Sequence, residues 1–243
     1  MTNVIFYATI SVLPLIGGAL LGSFLKVKEK TIGAITSFGA GALIAALAFG
    51  LMEESFRLGG LDNAVFGFVL GGLLFLAGDL LIIKIGGRTH KRTYDVEAAS
   101  SGWGIVLGAV LDGIPESLAL GIGMVLNPRI GFLVLVAIFL SNLPEAISSA
   151  YDLKKSGQSF RQLIAVWALV ALISFVFVIL GYTIFSAISP NITATFQSLA
   201  AGAILAMVAS TMMPEAYKES GTGSAILAVL GFLVIFVISK YGV

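Results

Sequence analysis

Residues 104–126 read GIVLGAVLDGIPESLALGIGMVL, and residues 130–153 read IGFLVLVAIFLSNLPEAISSAYDL. Each run is apolar for more than twenty residues and carries a Pro-Glu pair at its middle. A run of about 20 apolar residues is what a helix needs to cross roughly 30 Å of hydrocarbon. β-Strands that span a membrane are about ten residues long and alternate in polarity, so these runs predict helices. The turn between them, Asn127-Pro128, is short, which predicts an antiparallel pair.

The rest of the chain repeats the pattern. Further apolar runs cover approximately Val4–Leu25, Ile32–Glu54, Ala64–Ile85, Leu163–Ile188, Thr193–Tyr217 and Ser224–Tyr241, making eight expected spans with the first two. The fold class expected is an all-α polytopic membrane protein, a single transmembrane domain over residues 1–243. Composition agrees: 58% hydrophobic, 11% charged, mean hydropathy +1.04. A soluble domain carries about a quarter charged residues, so lipid is the expected solvent. The net charge of +1 gives no bulk attraction to nucleic acid. With no cysteine in the chain, disulfides, thiolate metal sites and cysteine nucleophiles are excluded. The first apolar run is long and its lysines follow it, so it is expected to span and not to be cleaved as a signal.

Basic residues set the expected orientation. Lys26, Lys28, Lys30, Lys84, Arg88, Lys91, Arg92, Lys154, Lys155, Arg161 and Lys218 fall on one side, and Arg57, Arg129 and Lys240 on the other. The first side is expected to be cytoplasmic, with both termini outside a cell membrane. The loop from Lys84 to Gly102 then lies inside; its His90, the one histidine, sits among cations and is assigned to a solvated basic loop.

A repeat is visible at an offset of 161. AGALIAALAFGLMEESFR from Ala40 aligns with AGAILAMVASTMMPEAYK from Ala201, pairing Gly41 with Gly202, Glu54 with Glu215 and Arg57 with Lys218. The two copies fall in spans of opposite direction, so an inverted 3+2+3 arrangement is expected, with the fourth and fifth helices central. Inverted repeats with a midplane binding site are a recurring transporter design.

Chemistry is concentrated in acids at membrane depth. Each costs about 2.5–3.5 kcal/mol at a helix centre unless it faces partners or water. No Lys or Arg is expected at mid-depth, so a bound divalent cation or protons must balance them. Asp112 and Glu116 are four apart and share a helix face; Ser141 and Glu145 repeat that spacing, with Asn142 on an adjacent edge. Measured from the Asn127-Pro128 turn, Glu116 with Ser141 and Asn142 fall about 18–20 Å down the helices, and Asp112 with Glu145 about 24–26 Å. The two motifs should meet across the pair as an oxygen cage. Pro115 and Pro144 should also release the carbonyls of Leu111 and Leu140, groups tolerated at this depth where they line a cavity or hold an ion. Glu54, Glu215 and Asp79 are candidates for a vestibule or accessory metal set; Glu53 is an edge charge. Met52, Met212 and Met213 are assigned to packing.

Pro-Glu pairs in consecutive central helices of an eight-span chain resemble the ZIP (Zrt/Irt-like) family of metal transporters. The family pattern His-Asn-x-Pro-Glu-Gly is met here by Asp112-Gly113-Ile114-Pro115-Glu116-Ser117. The pattern His-Glu-x-Pro-Glu-Gly is met by Ser141-Asn142-Leu143-Pro144-Glu145-Ala146. The resemblance implies metal-ligand roles for Glu116 and Glu145, and by position for Asp112, Ser141 and Asn142. It implies zinc as cargo, no cofactor, no enzymatic activity and a homodimer. Both family histidines are absent, and an all-oxygen set suits harder ions such as Mn²⁺ and accepts Fe²⁺. Two other readings stay open on the residues alone: a proton- or sodium-coupled carrier of an organic solute, and an intramembrane hydrolase using Asp79 and Asp112.

Overall fold

A computed structural model describes residues 2–84 and 102–241, and among these every element is helical. The loop holding His90 lies outside the described residues. The helices are α1 (Thr2–Phe24), α2 (Glu29–Ala46), α3 (Glu53–Lys84), α4 (Gly102–Leu126), α5 (Pro128–Lys155), α6 (Phe160–Phe185), α7 (Pro190–Met207), α8 (Met213–Ser220) and α9 (Gly223–Tyr241). Two wide π-helical turns, π1 (Leu47–Met52) and π2 (Val208–Met212), join α2 to α3 and α7 to α8.

Seven stretches of the described residues are long and apolar enough to cross a membrane. One of them, Glu29–Lys84, is 56 residues long. A straight helix of that length would reach about 84 Å, far beyond the hydrocarbon thickness. It breaks at Gly60, where φ is 74° and ψ is 177°. That backbone is essentially restricted to glycine, so the turn between the expected spans Ile32–Glu54 and Ala64–Ile85 is made by a single residue. The other turns use side-chain chemistry. The Asn127 side chain accepts a hydrogen bond from the Arg129 N–H at 3.0 Å, and Pro128 opens α5. Ser159 and Gln162 close a capping box at the start of α6. Such caps occupy backbone donors that the first helical turn leaves open.

Glycines decide how closely the helices approach. A Cβ on Gly41 would lie 1.9 Å from the Ala228 carbonyl oxygen, and one on Gly231 would lie 1.9 Å from that of Phe38, so α2 and α9 touch backbone to backbone. A Cβ on Gly202 would lie 1.9 Å from the Phe68 oxygen, and one on Gly71 would lie 1.9 Å from that of Leu199, joining α7 to the second half of α3. Gly41 and Gly202 are partners in the sequence repeat, so the same contact is built twice. Gly18 and Gly22 bring α1 against α5, and Gly121 and Gly181 bring α4 against α6. Small residues at such crossings are the usual means of packing helices in lipid, where apolar surface alone gives no preference for protein over acyl chains.

The outward faces carry Phe66, Leu73, Leu80, Leu172, Ile226 and Val229, all more than half exposed. Polar groups inside the bundle bond locally: Ser37 donates to the Gly33 carbonyl at 2.7 Å, Ser55 to that of Leu51 at 2.7 Å, and Thr211 to that of Met207 at 2.6 Å.

Candidate metal centre

Both prolines sit inside helices that continue through them: α4 runs past Pro115 and α5 past Pro144. The freed Leu140 carbonyl does not face a cavity. It packs on α2, where a Cβ on Gly39 would lie 2.8 Å from it. This carbonyl, expected to line a cavity or hold an ion, is covered instead by a glycine of the neighbouring helix.

The acids of the two motifs come together as the spacing predicts. Glu116 is 2% exposed and accepts a hydrogen bond from the Ser141 hydroxyl at 3.3 Å. The same hydroxyl lies 3.0 Å from the Ile138 carbonyl. Asn142 is a further polar neighbour of Glu116, and Glu145 and Asp112 are its acidic neighbours. Two carboxylates are therefore arranged around a third that is itself buried, an arrangement that demands positive charge or protons.

Asp112 and Glu145 also line a small cavity of about 20 Å³, together with Glu215 from α8. Ser148 and Ser149 add hydroxyls from α5, Thr36 one from α2 and Thr211 one from π2. Space of this size admits a single water or a bare ion. No basic side chain is among its lining residues. Among the described residues, no three His, Asp or Glu side chains form a ready-made cluster for a metal ion. The donors present are carboxylates with hydroxyl oxygens between them, plus the thioether of Met212, which sequence assigned to packing.

The remaining candidates separate. Glu54, expected as the repeat partner of Glu215, is 6% exposed and is gripped by Arg57 through two hydrogen bonds of 2.5 and 2.9 Å. It does not line the cavity. Asp79 is 1% exposed on α3 and is not among the lining residues either, so Asp79 and Asp112 do not share that cavity as a catalytic pair would. Gly113, the residue after Asp112, faces α6: a Cβ there would lie 3.0 Å from the Ser174 hydroxyl. Sequence reasoning missed Thr36, Ser148, Ser149 and Thr211. Hydroxyls in apolar helices usually bond back to their own helix, but the spacing held a signal: Ser148 and Ser149 follow Glu145 by three and four, and Thr211 precedes Glu215 by four.

A family model described as ZIP zinc transporter matches residues 84–239, a stretch that holds both Pro-Glu helices and the second copy of the repeat. Zinc transporter ZIP10 from Danio rerio is 28% identical over 121 residues, which is 50% of this chain. The aligned part spans 14% of that relative's own length. With more than half of its residues matched by the family model, the chain belongs to the ZIP zinc transporter family.

Proposed function

We propose that this protein carries divalent metal ions across a cell membrane, with zinc as the cargo the family implies and Mn²⁺ and Fe²⁺ as further cargoes. The observation that carries this reading is the meeting of Asp112, Glu145 and Glu215 from three separate helices on one cavity, with Glu116 beside them and no basic residue in the lining. A cation entering there neutralises acids whose burial is otherwise costly. Asp112, Glu116, Ser141, Asn142 and Glu145 are the proposed ligand set, and Glu215 the accessory acid on the Lys154–Lys155 side. The shell closes when the ion arrives and draws the carboxylates inward. Mostly oxygen donors bind Zn²⁺ and harder divalent ions with smaller differences than an imidazole site would.

The break at Gly60 divides residues 29–84 into two spans, giving eight in an inverted 3+2+3 order with α4 and α5 central and both termini outside. Support comes from the contacts: α2 with α9 repeats α7 with the end of α3, and α1 with α5 repeats α6 with α4. Two halves built alike and opposed across the membrane suit a carrier that opens alternately to each side. The protein acts as a transporter, not an enzyme, and works as a homodimer.

The test is flux of Zn²⁺ and Mn²⁺ into proteoliposomes loaded with a metal-sensing dye. Glu116→Ala and Glu145→Ala should each cut flux at least about a hundredfold, consistent with removing a ligand from a buried charged site. Wild-type flux in both variants would remove the site assignment.

A further inference from the structure

Gln197 on α7 is fully buried, at 0% exposure, and neither atom of its amide meets a hydrogen-bond partner among the described residues. A buried amide left this way costs about 1–3 kcal/mol, so its retention calls for a partner in some other state of the protein. Its surroundings point to what that partner is. A Cβ on Gly123 of α4 would lie 3.5 Å from Gln197 Nε2 and 3.2 Å from Ile130 Cγ2, and Ile130 in turn sits 3.6 Å from the Cβ position of Gly50 in π1. Gly123 lies about 10 Å beyond Glu116 toward the Asn127-Pro128 turn. Gln197 therefore lies toward the end of the bundle opposite the acid-lined cavity.

The repeat relates the two ends. Subtracting 161 from Gln197 gives Thr36, which lines the cavity, and subtracting 161 from Thr211, which also lines it, gives Gly50. Gln197 and Ile130 both lie against Gly123, and Ile130 lies against Gly50, whereas Thr36 and Thr211 line the cavity directly. The repeat counterparts of the two cavity threonines are thus brought near one another at the opposite end. Leu51, the counterpart of Met212, is 1% exposed. Gln197, Ala201 and Ile204 fall on one face of α7, all buried, and lead through buried Val208 of π2 to Thr211 at the cavity. The apolar middle of this face separates the amide from the acids.

We propose that Gln197 is the outer-side relay ligand for the transported divalent cation. Its amide oxygen takes the arriving ion when the closed end opens, then yields it to the carboxylates. A neutral oxygen holds a partly hydrated cation weakly enough to release it, as conduction requires. This rests on the carrier reading and on the outward placement of the Asn127-Pro128 end.

The test uses the full chain in oriented vesicles. Gln197→Leu keeps the volume and removes an unsatisfied group, so the variant should fold. It should lower Zn²⁺ flux from the Asn127 side about tenfold, the loss expected for one ion-to-amide contact, while zinc bound at equilibrium by detergent-purified protein stays at the wild-type level. The chain has no cysteine, so Gln197→Cys supplies a sole thiol. A membrane-impermeant maleimide added on the Asn127 side should label it, and Zn²⁺ should slow the labelling. Wild-type flux in Gln197→Leu, or a thiol never labelled from that side, overturns the relay. Glu116→Ala and Glu145→Ala run in parallel. If they abolish flux while Gln197→Leu does not, the relay alone fails; if they carry zinc normally, the carboxylate centre itself fails.

Discussion

The two copies of the repeat share a backbone and differ in what they do with it. In both, a glycine is pressed onto a neighbouring carbonyl (Gly41 on Ala228, Gly202 on Phe68), a π-helical turn follows, and an acid stands shortly after that turn. In the first copy the acid is Glu54, clamped by Arg57 one helical turn away. In the second it is Glu215, which lines the cavity with Asp112 and Glu145. One end of the molecule is thus an acid-lined opening, and the matching end is shut by Leu51 and Ile130. An internal duplication sets which helices touch; individual side chains set which face is wet.

Substitutions at the paired glycines should break both copies at once. Gly41→Ala and Gly202→Ala each force a methyl to 1.9 Å from a carbonyl oxygen, so both should destabilise by about 3 kcal/mol or more, at the upper end of overpacking costs. Thermal melting in detergent should show similar falls in the two variants and none in Gly17→Ala, where nothing lies within 4 Å. A large fall in one alone would show that the copies are not equivalent.

The acids should respond unequally. Glu215→Ala should weaken zinc binding about tenfold or more, as loss of a supporting or direct ligand does. Glu54→Ala should leave binding nearly unchanged and cost little stability, because Arg57 is 62% exposed and a pair with a solvated partner contributes little. Isothermal titration with zinc on both purified variants checks this; equal losses would dissolve the contrast. An effect between these two is expected for Ser141→Ala, which removes a 3.3 Å hydrogen bond to Glu116. Zinc affinity should change about threefold, in line with a single weak hydrogen bond.

Much of this was legible in the chain itself. Apolar run lengths placed the helices within a few residues, and the glycine pair at 59–60 marked the break. Four-residue spacing and helical rise brought Glu116 to Ser141 across the α4–α5 pair. The offset of 161 found the repeat from a few matched residues. Other features had no local signature. The π-helical turns, LAFGLM and VASTM, share no residue type that would mark them in the sequence. The difference between Glu54 and Glu215 depends on which side chain Arg57 reaches, although Lys218 stands at the matching place in the second copy. The covering of Leu140 by Gly39 is a contact between helices a hundred residues apart, which no spacing rule encodes.

The single-residue corner at Gly60 has a mechanical consequence. An ordinary interhelical loop of several residues absorbs displacement, so two helices joined by one can shift independently. Here the chain turns within one backbone unit, and residues on either side remain helical. There is no slack to stretch. A lift of the segment before Gly60 therefore moves the start of the segment after it, while tilt is taken up by rotation at Gly60 itself, whose surroundings are open.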